Sequence, residues 1–224
     1  MIKLIFCFVF ITIIFLNWKF RYFKSPYKLH MIFGKKGSGK STLLAKIALK
    51  SLKKKKTVFT NMQELVVPGV FLIESSKLGE FIPPPNSVLL LDEVGILYDN
   101  RNFKSFSNAV RDFFKLQRHY KVDVWLASQS FDVDKKLRDL TDEMALVVSL
   151  FPWLSLVRPI KKSVCLIESS ALGESRIADN LKFKWIFAWR FVFLPRWTKY
   201  FDSFNAPVKP YFDYSNSIKI GTLK

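Results

Sequence analysis

The sequence predicts an α/β fold built on a mainly parallel sheet, and three observations carry that expectation. Short, wholly apolar runs alternate with amphipathic stretches of helical length. One apolar run leads straight into a glycine-rich segment, and another ends on two adjacent acidic residues. The elements are taken below in chain order.

From Leu4 to Leu16 no residue is charged, and Trp18, Phe20, Tyr22 and Phe23 follow at the height of a membrane interface. The run alone is shorter than the ~18–20 residues a span needs, but Met1 through Trp18, with Lys3 and Lys19 snorkelling, reaches that range. No small-residue cleavage site follows it, so an uncleaved N-terminal transmembrane helix is expected rather than a signal peptide. Lys19, Arg21, Lys24 and Lys28 place the remainder on the cytoplasmic side of the membrane.

Leu29–Phe33 reads as a buried strand, Lys40–Lys50 as a helix with Leu43, Leu44, Ile47 and Ala48 on one side, and Thr57–Thr60 as a second strand. Pro83-Pro84-Pro85-Asn86 can continue neither a helix nor a strand, and Ser87–Leu91 is the next apolar strand. Ser105–Tyr120 is an expected helix, with Ala109, Phe113, Leu116 and Tyr120 inward and Arg111, Lys115 and Arg118 outward. A strand over Val122–Ala127, a helix over Asp134–Leu140 and a strand over Ala145–Leu150 complete the alternation. Phe183–Trp197 is rich in aromatics but carries Lys184, Arg190 and Arg196; it reads either as interfacial or as packed on the domain. The division expected is 1–24 as membrane anchor, 28–178 as catalytic domain and 179–224 as an aromatic, basic C-terminal segment. Leu72–Glu80 nearly repeats as Leu166–Glu174, without wider similarity around either copy.

Half of the 224 residues are apolar, which supports one sizeable core and excludes a disordered chain. The formal charge of +18 favours phosphate-rich partners, nucleic acid or an anionic membrane; alternatively, Lys keeps an aromatic-rich chain soluble. Cys7 and Cys165 fit no metal or redox spacing.

The chemistry rests on Gly34-Lys35-Lys36-Gly37-Ser38-Gly39-Lys40-Ser41, a full match to the phosphate-binding loop between a strand and a helix. Its glycines let backbone N–H groups close round phosphates, and the following helix adds its positive end. Lys40 is expected on the β- and γ-phosphates, Ser41 on Mg²⁺ and Thr42 on the α-phosphate. Asp92 closes a buried strand at the sheet's C-terminal edge, where it is expected to hold the Mg²⁺ directly or through water; Glu93 is placed to polarise the attacking water. The fold class is therefore a P-loop NTPase with ATP and Mg²⁺ as cofactors. The extra strand and the Glu beside Asp92 resemble the additional-strand, catalytic-glutamate type. Gln129 is then either that type's polar sensor or a strand-end residue facing water. Arg118, and second Arg138, read as arginine fingers or as solvated surface arginines. The Arg111, Lys115 and Arg118 stripe reads as a track for a nucleic-acid backbone or as a solvated face.

Together the loop, Leu90-Leu91-Asp92-Glu93-Val94-Gly95 and the stretch from Leu116 through Arg118-His119 to Gln129 resemble the zonular occludens toxin (Zot) family, which includes filamentous phage assembly ATPases. The resemblance covers roughly residues 28 to 150. It implies an inner-membrane ATPase that extrudes single-stranded DNA while phage coat and assembly proteins gather round it. It also implies a homo-oligomer with ATP at subunit interfaces. One departure is visible: the family's span follows its ATPase domain, whereas here the apolar segment comes first. Two other readings stand beside this one, a nucleotide-gated structural component of an assembly pore and a DNA-packaging or conjugation ATPase.

Overall fold

The computed structural model describes residues 2–20, 25–97, 108–131, 133, 135–168 and 175–201. In chain order the elements are α1 (Ile2–Lys19), β1 (Leu29–Phe33), α2 (Lys40–Lys53), β2 (Thr57–Thr60), β3 (Val70–Leu72), β4 (Ser87–Leu91) and α3 (Val94–Leu97). They continue as α4 (Asn108–Leu116), β5 (Val122–Ser128), α5 (Lys135–Leu140), β6 (Glu143–Phe151), β7 (Leu154–Glu168), β8 (Ser175–Phe183) and β9 (Arg190–Phe193).

The strands form one sheet in the order β3-β2-β4-β5-β1-β6-β7-β8, with β9 also paired to β7. Pairing is parallel from β3 to β6 and antiparallel from β6 onward. All five residues of β4 are buried, which is why its sequence is an unbroken apolar run instead of an alternation. Fully burying side chains such as Leu89, Leu90 and Leu91 contributes about 1.5–3 kcal/mol each.

One core forms between the sheet and α4 and α5, around Leu89, Leu91, Phe113, Leu126 and Leu137. The other forms under α2 and the C-terminal segment, around Ile32, Leu44, Ala48, Leu90, Val192 and Leu194. Val192, Leu194, Trp197 and Phe201 of that segment thus pack against the second core.

In space the strand between β1 and β4 is β5, while Thr57–Thr60, which separates them in sequence, lies on the far side of β4. Other expectations change. The buried face of α4 is Val110, Phe113 and Phe114, continuing to Gln117, while Leu116 is 41% exposed. Two helically spaced stripes overlap at Phe113, and the one containing the larger Phe114 turns inward. Residues 105–107 of that expected helix lie outside the described residues. The expected spanning helix is not met: among the described residues no helix is long and apolar enough to cross a membrane. At about 1.5 Å per residue, the 18 residues of α1 measure about 27 Å against a hydrocarbon core of about 30 Å. Of the near-repeat, the first copy leaves β3 for a helical turn at Ser75–Lys77; the second starts inside β7, and its residues 169–174 lie outside the described residues.

Candidate active site

β1 ends at Phe33 and hands the chain to Gly34, whose N–H donates to the Ser128 carbonyl at 3.2 Å. Any Cβ at Gly34 would lie 2.5 Å from both Ser38 Oγ and the Val147 carbonyl oxygen, so only glycine fits. Gly39 takes φ +89° as it starts α2, and a Cβ there would meet Ser155 Oγ at 2.6 Å and Leu194 Cδ2 at 2.9 Å. The loop is therefore braced from outside. Ser155, fully buried on β7, donates its hydroxyl to the Ser38 carbonyl at 2.7 Å.

Inside the loop Lys40 is 6% exposed, and its Nζ donates to the Gly34 carbonyl at 2.7 Å and the Lys35 carbonyl at 3.1 Å. Burial lowers its pKa against the opposing pull of Asp92 and Glu93. Ser41 Oγ donates to Asp92 Oδ2 at 2.8 Å. Burial raises the Asp92 pKa, while the hydrogen bonds from Ser41 and from the Glu93 N–H oppose that rise. Thr42 is buried in the first turn of α2, whereas Lys35, Lys36 and Gly37 are exposed along the rim.

Glu93 has φ +55°, a left-handed conformation costly for a side chain of this length, and its N–H donates to Asp92 Oδ1 at 2.8 Å. That bend turns the Glu93 carboxylate away from Asp92 and towards β5, where Gln129 Nε2 donates to Glu93 Oε1. Lys40, Ser41, Asp92, Glu93 and Gln129 thus converge at the C-terminal ends of three neighbouring strands, β4, β5 and β1.

The arginines separate. Arg118 pairs with Asp142 at 3.0 Å beside the start of β1, at the opposite edge of the sheet from its own phosphate loop. Arg138 donates to the Phe131 carbonyl at 3.2 Å and lies over the Phe131 ring, which packs on Phe33 immediately before the loop.

Sequence reasoning missed two residues. Asn61, just past β2, accepts from the Asp92 N–H at 2.9 Å and donates to the Asp92 carbonyl at 3.0 Å. An Asn closing the strand beside β4 is the signal, visible only once the strand order is known. Ser155 has no such signal, because nothing in its surroundings marks β7 as a neighbour of the loop.

The residues fit a magnesium nucleotide. Ser38 Oγ is a buried hydroxyl without a partner in the loop, the glycines leave a cradle that a Cβ would fill, and Ser41 and Asp92 form a hard oxygen donor set.

No curated protein matches the chain. Among solved structures it is similar to the N-terminal domain of zonular occludens toxin from Neisseria meningitidis, at 18% identity and a TM-score of 0.49, covering 59% of this chain and 83% of that one. It is also similar to the genome packaging NTPase B204 from Sulfolobus turreted icosahedral virus 2, in complex with AMP, at 14% identity, TM-score 0.46, 69% and 98% coverage. A third is the flagellar accessory protein FlaH from Methanocaldococcus jannaschii, at 14% identity, TM-score 0.44, 68% and 89% coverage. The family anticipated from the motifs is thus among the structures the chain resembles. The AAA domain family model matches residues 26–155, more than half of the chain, from before β1 into β7. The chain belongs to the AAA domain family, with the fold of a P-loop NTPase.

Proposed function

We propose that this protein is a Mg²⁺-dependent ATPase of filamentous phage morphogenesis, coupling ATP hydrolysis to virion assembly and extrusion of single-stranded DNA. The observation that carries hydrolysis is the unbroken contact line Ser41–Asp92–Glu93–Gln129 beside Lys40. In it Ser41 and Asp92 hold the cation, Lys40 exchanges the loop carbonyls for phosphate oxygens, and Glu93 takes up a proton from water oriented at its carboxylate. ATP supplies the phosphoanhydride, and Mg²⁺ offsets the charge on its oxygens. Gln129 holds Glu93 in place until the γ-phosphate competes for the amide.

The phage assignment rests on the Leu116–Gln129 stretch and its likeness to the Zot family. The same resemblance supports a homo-oligomer with nucleotide at subunit interfaces, where Arg118 or Arg138 would serve a neighbour's phosphates. Membrane attachment rests on α1, whose Phe6, Phe8, Phe10 and Ile11 are all exposed, with the catalytic domain on the cytoplasmic side of the host inner membrane. Single-stranded DNA and coat proteins are the partners this reading assigns, DNA on the strength of the +18 charge.

Purified full-length protein is expected to release phosphate from ATP with Mg²⁺, and Lys40→Ala to reduce turnover to background. Equal turnover in that variant sinks the assignment. One observation favours a nucleotide-gated scaffold instead: Gln129 already occupies a Glu93 oxygen. Virion yield from cells carrying Glu93→Gln separates the two, since a motor loses assembly and a scaffold keeps it.

A further inference from the structure

Away from the nucleotide, the face of the sheet covered by α2 carries two adjoining cavities of about 330 Å³ each. They share Leu43, Trp125, Val157 and Arg190, and so form one groove between α2 and the segment after β8. Its rim is cationic. Lys46 and Lys50 lie one turn apart on α2 and Lys54 caps its C-terminus, with Lys56 and Arg190 closing the ring. No ion pair to any of these five forms among the described residues; of the groove's two carboxylates, Asp123 faces His30, and Glu143 faces His30 and Lys28. Burial lowers the Lys46 pKa, and the charges of Lys50, Arg190 and Arg196 lower it further. The floor includes a buried Trp125 Nε1–H without a partner.

Next to this groove the chain exposes a hydrophobic turn. Trp185 is 82%, Ile186 69% and Phe187 94% exposed, and Phe187 lines one of the two cavities. Lys182 and Lys184 flank the turn and are themselves exposed. Lys56 also lies over the Tyr27 ring, 5.6 Å away, where the chain from α1 enters the sheet. Tyr27 follows Phe20 by seven positions in the chain, a reach of at most about 25 Å. An aromatic tip, unpaired cations and a nearby apolar helix share one surface requirement: hydrocarbon beneath fixed negative charge.

We propose that the groove of Lys46, Lys50, Lys54, Lys56 and Arg190 seats the phosphate of an anionic phospholipid headgroup while Trp185–Phe187 enters the bilayer interface. The N-terminal edge of the sheet then lies on the membrane, and the phosphate loop faces away from it. This rests on membrane attachment through α1 and assigns the surface that attachment brings down.

The test uses the full chain with Cys7→Ser, Cys165→Ser and Phe187→Cys, labelled at position 187 with an environment-sensitive fluorophore. Vesicles are phosphatidylcholine alone or with phosphatidylglycerol, and co-flotation is measured alongside emission. The expected result is flotation with both vesicles and a blue-shifted, brighter label only with the anionic ones. Lys46→Gln/Lys50→Gln should reduce the inserted fraction about fivefold per cation removed while flotation persists. Flotation with a water-exposed label overturns the docking surface and leaves attachment standing. Failure to float overturns both. Equal insertion into neutral vesicles overturns the headgroup site. A blue shift without vesicles on adding oligodeoxythymidylate, or on raising protein concentration, also overturns it, in favour of nucleic acid or a second copy.

Discussion

Asn61 clasps the Asp92 peptide from both sides, so the position of the Asp92 carboxylate depends on a side chain from another strand. Asn61→Ala removes both hydrogen bonds. It should cost about 1–3 kcal/mol in urea denaturation and depress phosphate release while leaving nucleotide binding near wild type. A second residue, His30, stacks on Trp125 with 3.8 Å between ring centroids and sits between Asp123 and Glu143, the latter also paired to Lys28. Burial works against the His30 charge, but the hydrogen bonds and charges of Asp123 and Glu143 outweigh it and raise the pKa above 6.5. Hydrogen bonding to His30 likewise holds the Glu143 carboxyl well below the usual carboxylate range. A raised histidine stabilises the fold fully below about pH 6.5 and loses that contribution as pH rises through its folded value. The depressed Glu143 contributes above about pH 4.5 and loses its share as pH falls. Urea midpoints should therefore decline from pH 6.5 to 8 in the wild type and stay flatter in His30→Gln; parallel curves would refute this. The phosphate-loop residues and Asp92-Glu93 were legible in sequence because each has few chemical substitutes. Asn61 was not, because its partner is set by strand order.

At the scale of elements, β7 braces the phosphate loop and has no counterpart in the loop motif. Ser155→Ala leaves the buried Ser38 carbonyl without its donor, and nucleotide affinity measured by titration calorimetry should fall about tenfold, the equivalent of ~1.4 kcal/mol. Unchanged affinity would show that the loop holds its shape without β7. β1, β2 and β4 were readable from their short apolar runs, bounded by glycines, lysines and prolines. The β7–β8 hairpin was not, since Arg158, Pro159, Lys161 and Lys162 interrupt its first strand and give it no single period. α4 was found, but its inward face was assigned to the weaker of two overlapping stripes.

Across the whole molecule, the parallel alternation foretold the β2-to-β6 part of the sheet and the edge that carries the site, but not the outer strand β3. It did not reveal the antiparallel extension that covers α2's side and supplies Ser155, Leu194 and the Trp185–Phe187 turn. One feature of the strand order bears on how the chain is made. β1 sits between β5 and β6, so a strand translated early finds both hydrogen-bonding neighbours only after Ser128 and Phe151 have emerged. Parallel pairings over such separations close slowly. In refolding with pulsed hydrogen exchange, the amides of Met31 and Ile32 should gain protection after those inside α2; simultaneous protection would contradict this order. The phosphate loop, written near the start of the message, is therefore among the last parts of the domain to acquire its shape, and a ribosome-bound chain stopped before β5 has no nucleotide pocket to offer.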